Sequence, residues 1–227
     1  MTLPVLLFAA GFGTRMGALT RDRPKPLIAV AGRPLIDHAL DLAVGIGAPV
    51  IAANAHYKAE MLAAHLTPKG VEISHETPDI LDTGGGLKAA LPLLGDGPVI
   101  TLNTDAIWSG PNPLAQLLAA WDPARMDALL TCVPHARTVG RDKGGDFGLD
   151  AEGRISRGGD MVYGGAQIIA AEHVAAHPGQ VFSMNAVWDE MAERGRLFGA
   201  IYPGRWCDVG HPDGIRIAET LLSEPHV

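Results

Sequence analysis

The chain has 227 residues, of which 47% are hydrophobic and 19% are charged, and its formal net charge is −7. This balance is typical of one large globular domain, and the acidic total argues against a general nucleic-acid surface, which needs broad basic patches. We find neither a basic leader followed by an apolar segment nor an apolar run that approaches the span of a bilayer. We therefore expect a cytoplasmic protein that binds neither nucleic acid nor membranes, with Cys132 and Cys207 as free thiols.

The first predicted strand, Leu3 to Ala10, is apolar throughout and leads into a glycine-rich, cationic loop. Gly11 and Gly13 allow a tight turn whose bare N–H groups suit an anion. Arg15 and Lys25 add fixed positive charge, and the prolines on either side of Lys25 stiffen its backbone. The loop therefore predicts a site for a small ligand that carries phosphate groups.

Two other interpretations of this loop are possible. Gly11 and Gly13 also begin the dinucleotide-binding pattern, but the third glycine, Gly17, comes one residue late. Prolines interrupt the expected helix, and no strand ending in an acidic residue follows at the right distance. A plain glycine turn with solvated arginines is the second alternative, but it leaves the clustering of the charges unexplained.

Helical and extended patterns alternate after the loop. The predicted helices are 34–46, 58–66, 86–94 and 113–121, and the predicted strands are 50–54, 71–75, 98–102 and 128–133. This alternation predicts an α/β fold with a doubly wound, mostly parallel sheet. Ligands of such sheets bind beyond the carboxyl ends of the strands, where three candidate motifs fall, after Ala10, after His75 and at Leu102.

The pattern changes near residue 140. Glycine-rich extended segments at 145–149, 154–156 and 161–169 predict antiparallel hairpins over the site. A helix at 183–194, a strand at 197–202 and a last helix at 212–222 complete the predicted elements. Without a linker rich in proline or serine, we expect a single domain over residues 1–227.

One long motif resembles a known family. The segment Leu-Phe-Ala-Ala-Gly-Phe-Gly-Thr-Arg-Met at 7–16, with Pro-Lys-Pro-Leu at 24–27, is similar to the signature of the sugar-1-phosphate nucleotidyltransferases. Ala18 departs from it, since many members have proline there. The resemblance implies a Rossmann-like, GT-A-like fold, a nucleoside triphosphate and a sugar 1-phosphate as substrates, and Mg²⁺ as cofactor. It implies a nucleotide-binding part at about 1–135 and a sugar-binding elaboration at about 136–205, in a monomer or weak homodimer.

The resemblance also implies roles for particular residues. Arg15 and Lys25 would be catalytic, acting on the phosphates. The implied nucleotide contacts are Ala10, Gly11, Gly13, Thr14, Asn54, Thr83, Gly84, Gly85 and Asn103, and the implied sugar contacts are Asp146, Tyr163 and Gly164. Local alternatives remain open, in which Asp82 or Thr83 only caps a helix and Asp146 is only an exposed hairpin residue.

Two aspartates are candidate metal ligands. Asp105 follows the strand that ends at Leu102, and Asp208 lies in the late motif Trp-Cys-Asp-Val-Gly. Most aspartates before a turn are helix caps or loop acceptors. The family, however, holds Mg²⁺ with one aspartate after a central strand and another in a late Trp-x-Asp-x-Gly motif, so the resemblance assigns both residues to the metal.

Within the family, the segments Asp-Thr-Gly-Gly-Gly at 82–86 and Asn-Thr-Asp-Ala-Ile-Trp at 103–108 are most similar to members that join UTP and N-acetylmuramate α-1-phosphate in bacterial cell-wall recycling. Mannose 1-phosphate with GTP and glucose 1-phosphate with dTTP or UTP are alternative substrate pairs. A non-catalytic nucleotide-sensing domain is an alternative of another class. Such domains usually lose the metal aspartates or the lysine, and this chain has all three.

Overall fold

A nine-stranded mixed sheet forms the centre of the computed structural model, which describes residues 2–141 and 143–224. In chain order, the strands are β1 (Val5–Phe8), β2 (Ala29–Val30), β3 (Arg33–Pro34), β4 (Ile51–Ala55), β5 (Glu72–His75), β6 (Val99–Asn103), β7 (Ala106–Ser109), β8 (Ala128–Pro134), β9 (Thr138–Val139), β10 (Phe147–Leu149), β11 (Ile155–Arg157), β12 (Met161–Ile169), β13 (Leu197–Ile201) and β14 (Arg205–Asp208). The α-helices are α1 (Leu35–Gly45), α2 (Ala59–Leu66), α3 (Asp82–Leu94), α4 (Pro113–Ala120), α5 (Ala171–Ala176), α6 (Met184–Glu193) and α7 (Pro212–Ser223).

The first half of the chain builds a parallel sheet. β5, β4, β1 and β6 lie side by side in that order, and all three pairs are parallel. β12 then joins β6 in antiparallel orientation, and β8 and β13 extend the sheet beyond it. The predicted α/β fold with a mostly parallel central sheet is therefore confirmed, and the carboxyl ends of β5, β4, β1 and β6 meet at one edge.

Strand β1 shows why this sheet lies at the centre of the core. Val5 and Leu7 pack with residues of α1, α2 and α4, whereas Leu6 between them packs with residues of α3 and α6. All three side chains are fully buried. Successive side chains of a strand point to opposite faces, so the continuous apolar run is what a strand covered by helices on both sides requires.

A second, three-stranded sheet was not predicted. β14 pairs with β7 in antiparallel orientation and with β9 in parallel orientation. In this register Asp208 lies opposite Ala106, the residue that follows Asp105. The small sheet therefore brings a segment from late in the chain to the carboxyl end of β6.

The glycine-rich region forms the predicted antiparallel strands. β10 pairs with β11, placing Phe147 opposite Arg157, and β10 also pairs with β12 through Met161. The register of β12 against β8 shifts between Tyr163 and Gln167. This hairpin lies at the end of the sheet where β6 leads into β7.

The α-helices differ from the prediction by more than one residue in two places. α3 begins at Asp82, four residues earlier than predicted, and takes three glycines into its first two turns. Helix α5 was not predicted at all. Among the helices in the described ranges, none is long and apolar enough to cross a bilayer.

Candidate active site

The glycine-rich loop after β1 folds back on itself through backbone hydrogen bonds. Gly13 has a φ of 63°, and its carbonyl oxygen accepts hydrogen bonds from the Met16 N–H at 2.9 Å and the Thr20 hydroxyl at 3.3 Å. A Cβ atom at Gly13 would lie 2.8 Å from Cβ of Lys25. Glycine at this position is therefore needed both for the backbone conformation and for the close passage of Lys25.

Lys25 points from this loop toward the end of β6. Its Nζ atom donates a hydrogen bond to Oδ2 of Asp105 at 2.8 Å, and its side chain is only 11% exposed. Pro24 is extended and Lys25 opens a short 3₁₀-helix, so the direction of the side chain is set by the backbone. The structure brings together two predicted site residues that are 80 positions apart in the sequence.

Asp208 lies beside the same pair of charges. Burial raises the pKa of its carboxyl group, and the negative charge of Asp105 raises it further, while Lys25, Arg15 and Arg141 oppose the shift. A Cβ atom at Gly210 would lie 3.0 Å from both Nη1 of Arg15 and Oδ2 of Asp208, so glycine leaves room for these side chains. Two mutually repelling carboxylates facing a cationic loop are suited to a divalent cation.

Two cavities meet at this cluster. The first, of about 330 Å³, is lined among others by the predicted residues Ala10, Gly11, Gly13, Thr14, Arg15, Lys25, Asn54, Thr83, Asn103 and Asp105. The second, of about 320 Å³, is lined by the predicted residues Arg15, Asn103, Asp105, Asp146, Tyr163 and Asp208. Arg15, Asn103 and Asp105 thus belong to both walls, and a ligand in one cavity would touch the residues that contact a ligand in the other.

Asn54 lines the first cavity, but its amide group is bonded to the protein. Its Oδ1 atom accepts the Ala9 N–H at 2.6 Å, and its Nδ2 atom donates to Oε1 of Glu76 at 2.7 Å. The other oxygen of Glu76 accepts the Leu81 N–H at 2.7 Å. Asn54 and the buried Glu76, which the sequence analysis did not select, therefore form a hydrogen-bonded part of the cavity wall.

Thr83 also lines the first cavity, at the start of α3. Its hydroxyl oxygen accepts the Met184 N–H at 2.9 Å and donates to Oδ1 of Asp82 at 3.2 Å. Asp82 has a positive φ of 60° and also lines the cavity. The sequence predicts at most a helix cap for Asp82, and its Oδ1 atom accepts the N–H of Thr83 at 2.6 Å.

The predicted nucleotide contacts of Gly84 and Gly85 need correction. Both residues are buried inside α3, and their N–H groups donate to the carbonyl oxygen of Phe182 at 2.9 and 3.1 Å. A Cβ atom at Gly84 would overlap the Phe182 ring, and one at Gly85 would overlap the carbonyl oxygen of Gln180. These glycines therefore allow a neighbouring backbone segment to approach the helix, and neither lines the cavity.

Gly164, predicted as a sugar contact, has a similar packing role. Its carbonyl oxygen accepts the indole N–H of Trp206 at 2.8 Å, and a Cβ atom there would lie 2.5 Å from the Trp108 ring. Two tryptophans from the small sheet fill the space beside it. The resemblance implied a sugar contact here, whereas in the structure glycine at this position allows close packing beside the register shift of β12.

We expect Gly85→Ala to lower the free energy of unfolding by about 1–3 kcal/mol or more, because the added methyl group meets a backbone carbonyl. The sign of this change is informative, because in a helix with enough space replacing glycine by alanine stabilises the fold by about 1 kcal/mol. Urea unfolding would measure the change. Gly97→Ala is the matched control, because no heavy atom of the described residues lies within 4 Å of its Cβ position. An unchanged unfolding free energy together with weaker nucleotide binding would restore the nucleotide contact.

The second cavity contains polar groups on a rigid frame. Asp146 accepts a hydrogen bond from Nη2 of Arg141 at 2.6 Å and one from the Tyr163 N–H at 3.0 Å. The Tyr163 ring packs edge to face against Trp188 with centroids 4.9 Å apart. Asp146 is therefore a bonded part of the cavity wall. Five other residues that line this cavity were not selected from the sequence: Arg141, Arg157, Asn185, Trp188 and Trp206.

A glycine-rich anion loop, a positioned lysine and paired aspartates at the edge of a mostly parallel sheet are together typical of enzymes that transfer nucleotidyl groups. Comparison with family models identifies the particular group: residues 5–197 match the MobA-like NTP transferase domain, and the chain belongs to this family.

Named relatives agree with this assignment. An N-acetylmuramate alpha-1-phosphate uridylyltransferase of Caulobacter vibrioides is 40% identical over 233 residues, which cover 96% of each chain. An enzyme of the same name from Neisseria meningitidis is 30% identical, with 96% of this chain and 98% of that chain covered. The fold also matches HddC from Yersinia pseudotuberculosis, crystallised with GMP-PN, with a TM-score of 0.78, 20% identity and coverage of 98% and 100%.

Proposed function

We propose that the protein transfers the uridylyl group of UTP to N-acetylmuramate α-1-phosphate, which yields UDP-N-acetylmuramate and pyrophosphate. The observation that carries this proposal is the shared wall of the two cavities, Arg15, Asn103 and Asp105. A nucleotide in one cavity and a sugar phosphate in the other would bring their phosphates to the same residues. The names of the relatives from Caulobacter vibrioides and Neisseria meningitidis support this choice of base and sugar.

The nucleotide is assigned to the first cavity and the sugar to the second. The first cavity includes the glycine-rich loop, whose N–H groups and cations suit a triphosphate. The second cavity takes most of its other residues from the region 136–205, the predicted sugar-binding elaboration. The protein would act in the cytoplasm, in cell-wall recycling, as a monomer or weak homodimer.

In this reaction a phosphate oxygen of the sugar phosphate attacks the α-phosphorus of UTP. The bond from that phosphorus to the bridging oxygen of the β-phosphate breaks, and pyrophosphate leaves with the electron pair. The nucleophile is already an anion and needs no strong general base. Catalysis therefore depends on alignment and charge neutralisation, which we assign to Arg15, Lys25 and the loop N–H groups.

Asp105 and Asp208 would hold Mg²⁺. The two carboxylates fit this ion, because they repel each other and lie where both substrates would place their phosphates. Among the residues with described positions, no group of three or more His, Cys, Asp or Glu could hold a metal, so phosphates and water would complete the shell. When bound, the ion supplies positive charge against the phosphates.

Pyrophosphate release tests this function directly. The purified protein is incubated with each nucleoside triphosphate, Mg²⁺ and a panel of sugar 1-phosphates that includes N-acetylmuramate, N-acetylglucosamine, mannose and glucose. UTP with N-acetylmuramate α-1-phosphate should be fastest, by at least about tenfold. GTP with mannose 1-phosphate as the fastest pair would replace the proposed substrates. Nucleotide binding without release for any pair would favour the non-catalytic sensing domain.

A further inference from the structure

The residues that line the second cavity fall into two groups, which we call its two ends. One end is the wall shared with the first cavity, where the proposed reaction places the phosphate of the acceptor sugar. The other end is formed by the β10–β11 hairpin and helix α6, through Phe147, Arg157, Asn185 and Trp188. Groups of the sugar that lie away from its phosphate would therefore meet this second end.

The guanidinium group of Arg157 is held firmly at that end. Its Nε and Nη2 atoms donate to Oδ1 of Asp189 at 2.8 and 2.6 Å, and its Nη1 atom donates to Oδ1 of Asn185 at 2.8 Å. The guanidinium also lies 5.2 Å from the centroid of the Phe147 ring. A cation fixed in this way loses little conformational entropy when it binds an anion.

Not all N–H groups of Arg157 and Asn185 are used in hydrogen bonds within the protein. An arginine has five N–H groups, and Arg157 uses four of them in bonds to Asp189 and Asn185. Within residues 2–141 and 143–224, the second N–H of Nη1 has no hydrogen-bond partner. Nδ2 of Asn185 donates to Oγ of Ser183 and has a second N–H to offer. The two residues can thus give one hydrogen bond each to the two oxygens of a single carboxylate.

The charged residues that line the cavity also favour an anionic ligand. Three arginines line it, and Arg15 belongs to the phosphate end. Arg141 is paired with Asp146 inside the cavity wall. Arg157 differs, because its counterion Asp189 is 58% exposed and lies outside the residues that line the cavity. A neutral sugar would leave this third cation without a ligand group, whereas an acidic sugar would use it.

Resting on the proposed function, we propose that Arg157 and Asn185 bind a carboxylate on the acceptor sugar and so select N-acetylmuramate, whose lactyl group carries one, over N-acetylglucosamine, which lacks it. The lactyl ether is attached at C3, away from the phosphate on C1. The cavity would therefore bind the acceptor sugar at both ends, its phosphate at one end and its carboxylate at the other.

The acceptor preference of Arg157→Gln tests this assignment. A hydrogen bond to a charged group is worth about 10- to 100-fold, so kcat/KM for N-acetylmuramate α-1-phosphate should fall by that factor. The value for N-acetylglucosamine 1-phosphate should stay within about threefold. Arg154→Gln is the matched control: Arg154 is 46% exposed, as Arg157 is 47% exposed, but it pairs with Glu152 outside the cavity.

A chemically altered acceptor separates recognition from a merely structural role. Conversion of the lactyl carboxylate to its amide should weaken the wild-type reaction about as much as Arg157→Gln does, and should have little further effect in the variant. Equal losses for both acceptors, or additive losses for variant and amide, would overturn the role of Arg157. If wild-type protein does not prefer N-acetylmuramate α-1-phosphate, the proposed function fails, and this inference fails with it.

Discussion

Lys25→Met is expected to lower kcat by about a hundredfold or more, while the affinity for UTP falls much less. The ammonium group is nearly buried, it lies 2.8 Å from Asp105, and it faces the place where both substrates would bring their phosphates. Phosphates of bound UTP would still contact Arg15 and the loop N–H groups, so the loss falls mainly on the transition state. Single-turnover rates and equilibrium binding of UTP would separate the two effects.

Two variants control this experiment. Arg23→Met removes an exposed cation of the same loop and should leave both parameters within about twofold. Lys25→Arg keeps the charge but replaces a compact ammonium with a larger planar group. The space around this side chain is narrow, because a Cβ atom at Gly13 would lie only 2.8 Å from Cβ of Lys25. Full activity in Lys25→Arg would mean that the site needs only diffuse positive charge. The proposal that Lys25 is a precisely positioned catalytic group would then be wrong.

Asp105→Asn and Asp208→Asn should each lower turnover by about a hundredfold, because each removes an anionic ligand of the proposed Mg²⁺ site at nearly constant volume. Their effects on stability should differ. The raised pKa of Asp208 means that its charged form is disfavoured in the metal-free fold, so Asp208→Asn should raise the Tm at neutral pH when no Mg²⁺ is present. Asp105→Asn removes the partner of Lys25 and should not raise it.

Turnover as a function of Mg²⁺ concentration, together with calorimetry, would measure both effects. Asp96→Asn, at an exposed loop position, is the control and should change neither. If Asp208 were only a loop acceptor, its replacement would lower the Tm and leave turnover within about threefold. That pair of results would remove Asp208 from the metal site.

The local parts of the fold could be predicted from the sequence. The buried strand β1, the cationic loop and the alternating helices and strands follow from periodicity, and the confirmed α/β architecture follows from them. The start of α3 could not be predicted this way. Gly84 and Gly85 have poor helix propensity and resemble a loop, but the close packing of residues 180–182 favours the helix.

The same limit applies to the candidate site. Arg15, Lys25, Asp105 and Asp208 each belong to a recognisable motif, and the structure brings them to one cluster. The far end of the second cavity has no such motif. Arg157 and its partners become neighbours only because β11 packs beside α6, a pairing across 28 or more positions that one sequence does not reveal.

The small sheet of β7, β9 and β14 has a consequence for how the protein acquires activity. Lys25 and strand β7 both lie in the first half of the chain. Asp208 lies in β14, which begins almost 100 residues after the end of β7 in the sequence. Contacts this distant in sequence form late and slowly in folding. During refolding, the recovery of turnover should therefore lag behind the recovery of helical circular dichroism, and its rate would report the docking of β14.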